Sequence, residues 1–197
     1  MTNKKNKFIG TYQFYPDTIE NWAYADKLFT PEECAQIIKI GNSKLQKAFV
    51  GEKNKIDGKI RESQIAWLGP DEIEFAFQRI TNVVCNLNEQ FFKFDLFGMA
   101  EGIQFTRYDA PTGHYGTHID KMFNGVVRKL SLTIQLSEPD DYEGGELALH
   151  FESKPIVMSK ELGAAVAFPS YVLHEVRPVT KGTRYSLVVW ITGKPFK

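Results

Sequence analysis

The sequence has little cysteine, no excess charge of either sign and no long apolar run, and each absence narrows what the protein can be. Its two cysteines, Cys34 and Cys85, lie far apart and without metal-like spacing, so neither a disulfide framework nor a cysteine metal knuckle is expected. Both fall in segments that read as helices, where a small buried thiol is the ordinary explanation. Lysine plus arginine number 24 and aspartate plus glutamate 24. Such a balance provides no overall field to draw the chain to nucleic acid or to an anionic membrane, and neither is expected as a partner. No stretch approaches the roughly 18 uninterrupted apolar residues of a spanning helix. The basic opening, residues 1–8, is not followed by the apolar run of a signal peptide, which makes a cytoplasmic location the expectation. Repeats, low-complexity tracts and linkers rich in Pro, Gly or Ser are also missing. At 197 residues, one domain spanning 1–197 is the natural reading.

What is present divides the chain in two. Thr30-Pro31-Glu32-Glu33 is a capping box with proline at the first helical position, and Cys34, Ile37, Ile38 and Leu45 follow at helical spacing, predicting a helix over about 31–47. Gly51 to Lys59 is rich in Lys and Gly and reads as a loop. Pro70-Asp71 opens a second helix, in which Ile73, Phe77, Ile80, Val84, Leu87 and Phe91 form one buried stripe. From about residue 100 the period changes to two. Residues 102–108, 128–137, 146–151, 164–169 and 185–192 read as short strands, divided by turns at 109–113 and 143–145. The fold class expected is mostly β with N-terminal helices, an antiparallel sandwich or small barrel with helices covering one face.

The strand-rich half holds all four histidines, His114, His118, His150 and His174. In His118-Ile119-Asp120 an imidazole and a carboxylate two residues apart point to the same face of an extended chain. With His174 from a distant strand they would form the two-histidine, one-carboxylate triad that suits Fe(II) sites. Arg184 and Ser186 share a face of the final strand, and a guanidinium fork beside a hydroxyl suits a carboxylate held bidentately. Tyr108, on one face with Gln104 and Thr106, is placed to add a hydrogen bond. His114, four residues before His118, would make a zinc pair only on a helix, which Pro111, Gly113 and Gly116 oppose. His150 reads as an ordinary surface or packed histidine, and Gly144-Gly145 as a turn with positive backbone dihedrals.

The run from Gln104 to Trp190 resembles the 2-oxoglutarate/Fe(II) dioxygenase superfamily, within it the prolyl-4-hydroxylase-like branch that includes PKHD-type hydroxylases. The matching features come in order: Gln104 and Tyr108; Tyr115, His118 and Asp120; Arg128 opening Leu-Ser-Leu-Thr-Ile-Gln-Leu-Ser; and Tyr142-Glu143-Gly144-Gly145-Glu146-Leu147. Phe168-Pro169-Ser170, His174, Lys181-Gly182, Arg184-Tyr185-Ser186 and Trp190 follow. The resemblance implies a double-stranded β-helix, a jelly-roll barrel over 100–197, with 1–99 as helical buttress and lid. It implies Fe(II) on His118, Asp120 and His174, with 2-oxoglutarate on Arg184, Tyr108 and Ser186 and O2 as the second co-substrate. Tyr115 and Arg128 would face substrate, and the basic loop from Gly51 to Arg61 would serve as a lid. The reaction implied is hydroxylation coupled to conversion of 2-oxoglutarate into succinate and carbon dioxide.

An intact Asp120 favours hydroxylation over halogenation. Arginine at 184, where collagen-type prolyl hydroxylases generally have lysine, is the PKHD-type choice, and Ile191-Thr192 stand where those enzymes have a histidine. Both differences loosen the tie to peptidyl proline. The expected partner is a protein or peptide substrate, with a small-molecule substrate as the alternative. A cupin-like metal protein without 2-oxoglutarate and a nucleic-acid demethylase are the other readings. Arg184 with Ser186 speaks against the first, and the neutral charge against the second. Whether ascorbate is required, and the oligomeric state, stay open.

Overall fold

The structure is a computed structural model that describes residues 18–48, 58–120 and 125–195. Its strands are β1 (Ala23–Ala25), β2 (Gln46–Lys47), β3 (Arg61–Glu62), β4 (Gln64–Leu68), β5 (Leu96–Met99), β6 (Ile103–Asp109), β7 (His114–His118) and β8 (Arg128–Gln135). They continue as β9 (Tyr142–Gly144), β10 (Leu147–His150), β11 (Ile156–Val157), β12 (Ala165–Pro169), β13 (Leu173–Val176) and β14 (Val179–Gly193). Two helices, α1 (Pro31–Asn42) and α2 (Pro70–Leu87), precede β5. All pairings are antiparallel. The larger sheet runs β1-β12-β8-β14-β6-β4-β2, with β5 and β9 also on β14, and the smaller runs β11-β10-β13-β7-β3. The expected jelly-roll class is thus observed as two facing sheets, and hydrogen bonding does not run on into a closed ring among the described residues.

Alternation gives the larger sheet two different faces. On one, Leu130, Leu132, Ile134, Leu187, Val189 and Ile191 pack with Phe105 against Ile37 of α1 and Ile73, Ile80 and Val84 of α2. Gly41 permits close approach there, since a Cβ would fall 2.4 Å from the Phe105 ring. The opposite face carries Gln104, Thr106, Tyr108, Ser131, Thr133, Gln135, Arg184 and Ser186, all buried. A second apolar cluster, including Leu147, Leu149, Val166, Phe168 and Val176, joins this face to the smaller sheet. Buried polar residues in such number are costly unless they have partners. The space between the sheets is where function is to be sought.

Four expectations need correction. The first helix ends at Asn42 rather than 47. Gly41-Asn42-Ser43 weakens it, the Ser43 hydroxyl bonds back to Ile40 O at 2.7 Å, and Gln46–Lys47 is taken instead as an edge strand on β4. The first half of the chain is not purely a helical buttress either: β4 pairs with β6 along its whole length, a contact between distant residues that local periodicity does not report. Cys85, expected to be buried, is exposed, whereas Cys34 is buried. Finally, Arg61 was assigned to a lid loop but begins a strand and is buried. Of the rest of that loop, 58–60 form a turn and 51–57 lie outside the described residues.

Candidate active site

His118 ends β7 and His174 sits opposite it on β13, while Asp120 lies two residues past the end of β7 rather than on it. Its backbone N–H donates to Ser170 O at 3.0 Å, which pins the segment to the larger sheet. The ligand atoms of the three residues lie within 4.8 Å of one another. His118 Nε2 is 3.6 Å from Asp120 Oδ1, and His174 Nε2 is 3.5 Å from Oδ2. Each imidazole is oriented from behind, His118 Nδ1 by Gly116 O at 2.8 Å and His174 Nδ1 by Val172 O at 2.9 Å. A carbonyl only accepts, so both Nδ1 atoms carry a proton, and Nε2 is the ring atom that each histidine turns toward Asp120. Ser131 Oγ donates to Asp120 Oδ2 at 2.8 Å.

Burial by itself would raise the Asp120 carboxyl, but His174 and His118 beside it more than offset this and hold it below the usual carboxylate range. Burial pushes His174 down in spite of that carboxylate, favouring a neutral imidazole. Two imidazoles and one carboxylate, with outer hydrogen bonds already made, fit a divalent iron. His114 and His150 stand apart from this group. His114 bonds through its ring to Thr112 O and Lys59 O, and His150 Nε2 is 3.5 Å from Glu175.

The same cavity is lined by Tyr108, Tyr115, Thr133, Leu147, Arg184, Ser186 and Trp190 besides the three ligands. Arg184 is directly opposite Tyr108 in the β14–β6 ladder and only 1% exposed. Its Nε and Nη2, and Ser186 Oγ, are buried without a hydrogen-bond partner. An uncompensated buried guanidinium costs several kcal/mol by itself. These orphaned donors fit a dicarboxylate whose far end they would hold, with Tyr108 alongside, while its keto acid end reaches the metal ligands.

Tyr115 borders the cavity with its ring stacked on His118, centroids 3.6 Å apart. Arg128 forms a bidentate pair with Glu101, at 2.8 and 2.6 Å, and its guanidinium lies 3.8 Å above the Trp190 ring. Both groups are thus committed to protein partners. Arg61 went unforeseen as a site residue. It donates to Gln104 Oε1 at 2.9 Å, stacks over Tyr115 at 4.5 Å and lines the cavity. A lone arginine at the end of a Lys/Gly loop carries no sequence signal of burial. Ser131, the partner of Asp120, was equally silent, though its place on the inward face of β8 could have been read from the alternation.

The model for the 2OG-Fe(II) oxygenase superfamily matches residues 103–192, which contain every residue proposed above except Arg61. A PKHD-type hydroxylase of Gloeothece citriformis is 32% identical over 149 residues, 69% of this chain and 66% of that protein. One from Picosynechococcus sp. is 43% identical over 88 residues, 44% of this chain and 40% of its own length. The matches therefore span from two fifths to about two thirds of these relatives. Among solved structures, a prolyl hydroxylase from Trichoplax adhaerens, in complex with a hypoxia inducible factor peptide fragment, superposes with a TM-score of 0.72 at 21% identity, covering 88% of this chain and 84% of that one. A Pseudomonas putida prolyl-4-hydroxylase gives 0.69 at 21% identity, covering 89% and 94%. At such identity these two speak for the fold.

Proposed function

Because the chain belongs to the 2OG-Fe(II) oxygenase superfamily and is similar to its PKHD-type hydroxylases, we propose that it is an enzyme of that kind and hydroxylates a prolyl or other side chain of a protein or peptide. The co-substrates would be 2-oxoglutarate and O2, and the by-products succinate and carbon dioxide. The observation that carries this reading is the shared cavity, which joins a preformed His118, Asp120, His174 set to a buried Arg184 whose Nε and Nη2 have no hydrogen-bond partner. Iron, when bound, supplies the activation of dioxygen that no side chain can. The protein supplies position. Gly116 O and Val172 O fix the two imidazoles, Ser131 fixes the carboxylate, and Arg184 with Ser186 and Tyr108 would fix the far carboxylate, so that the reactive end is directed toward His118, Asp120 and His174. Leu147, Val176 and Val188 line the same space and limit water.

A macromolecular substrate is supported by the half-buried Tyr115 ring that lines this cavity and by the peptide in the Trichoplax complex. The test is to load the purified protein anaerobically with Fe(II), add 2-oxoglutarate and a set of proline-containing peptides, and follow succinate together with a mass gain of one oxygen. Succinate without any modified peptide would turn the reading toward a small-molecule substrate. No succinate under any condition, with iron bound, would refute it.

A further inference from the structure

Arg184 lies between two tyrosines, and only one of them borders the cavity. Tyr108 is opposite it across β6, with the guanidinium 5.4 Å from its ring. Tyr142 approaches from the other side: it opens β9 and pairs with Gly182, two residues before Arg184. The Arg184 stem and the Tyr142 ring converge on the bare face of Gly145, where a Cβ would fall 3.1 Å from Arg184 Cδ and 3.2 Å from Tyr142 Cε2. Gly145 has a φ of 66°, so glycine is favoured there on both counts.

Tyr142 is 2% exposed, and its hydroxyl is buried without a hydrogen-bond partner, as are Arg184 Nε and Nη2. Three orphaned polar atoms around one contact are unusual, since buried polar groups are normally satisfied. Lys160 fixes the tyrosine from outside, its ammonium 3.8 Å from the ring centroid and 3.0 Å from Tyr142 O. Burial raises the phenol and Arg184 only partly offsets this, so it stays protonated and uncharged beside the guanidinium.

We infer that Tyr142 is a positioning residue for Arg184: once the guanidinium meets the co-substrate carboxylate, the phenol oxygen accepts one of its N–H groups and sets the rotation of the fork. Nη2 carries two N–H bonds, so it can serve the phenol with one and the carboxylate with the other, beside Nε. The inference rests on the co-substrate reading proposed above.

The test is calorimetric titration of 2-oxoglutarate into Mn(II)-loaded protein, which needs no turnover. Tyr142→Phe should weaken 2-oxoglutarate about tenfold, toward the lower end of what a hydrogen bond to a charged group contributes, with Mn(II) affinity and thermal midpoint retained. In an Arg184→Lys background the same change should alter the affinity by less than about twofold, because an ammonium has no fork to orient. Native affinity in Tyr142→Phe, an equal loss in both backgrounds, or loss of Mn(II) binding as well would each overturn the inference. Arg184→Ala separates the two levels. If it weakens 2-oxoglutarate while Tyr142→Phe does not, the inference alone fails; if it leaves the affinity native, the co-substrate reading fails and takes the inference with it.

Discussion

Ser131 donates its hydroxyl to Asp120 Oδ2 across 2.8 Å. Asp120 lies beyond the end of β7, so this bond, with the Asp120 N–H to Ser170 O, is what aims its carboxylate at the two histidines. Outer hydrogen bonds of this sort typically contribute about 10–100-fold to metal affinity. Ser131→Ala is expected to weaken Mn(II) or Fe(II) binding within that range while leaving the fold intact, as read by metal titration and circular dichroism. Unchanged metal affinity would mean that the loop holds Asp120 unaided.

Arg184 should be a liability to the empty protein. Replacing a buried ionic group by an apolar one of similar volume is often neutral or stabilising, by about 1–4 kcal/mol. Arg184→Met is therefore expected to melt at or above the native midpoint without ligands, and to lose the further rise that Mn(II) with 2-oxoglutarate gives the native protein. A large drop in the ligand-free midpoint would assign Arg184 to the core rather than to the co-substrate.

Stacking on His118 divides the roles of Tyr115 into ring and hydroxyl. Tyr115→Phe keeps the stack and the contact with Arg61, so metal affinity and the slow consumption of 2-oxoglutarate without substrate should stay within a few-fold of native. Tyr115→Ala removes an aromatic pair worth about 0.5–1.5 kcal/mol and should weaken metal binding by a similar free energy. Equal loss in both variants would place the hydroxyl, not the ring, at the metal site.

The two cysteines should differ in reach. Burial pushes the Cys34 thiol up to about 12, and Cys85 is exposed. One thiol per chain should react with a disulfide reagent at mild alkaline pH in the native protein, and both in denaturant. The linkage follows the same shift: the folded thiol titrates higher than the unfolded one, near 9.0. Its contribution is complete below pH 9.0 and is lost as pH rises from there toward about 12. Cys34→Ala should remove that part of the alkaline loss of stability in denaturant titrations at several pH values.

Local chemistry made much of this legible beforehand. Thr30 and Glu33 form the capping box that their spacing implies, and Arg184 and Ser186 share the buried face that alternation assigns them. His118, Asp120 and His174 could be grouped because their residue types and order in the chain match a known constellation. Gly144 and Gly145 have the positive φ that their turn required. Each of these depends on residues a few positions apart, or on a pattern repeated across a family.

What the sequence alone determined, then, was the class of fold, the His118-x-Asp120 pair on one extended segment and the shared face of Arg184 and Ser186, since helical and strand periods, capping and same-face spacing are set by the backbone geometry of short segments. Tertiary structure decided which of several polar residues meet. It drew Gln46–Lys47 out of a helix to pair with β4, turned Arg61 from a loop into the cavity, gave Arg128 to Glu101 and Trp190, and set Tyr142 against Arg184 across Gly145. The physical reason is that burial and charge pairing are properties of the space between two sheets, and that space exists only after strands far apart in the chain have found their register.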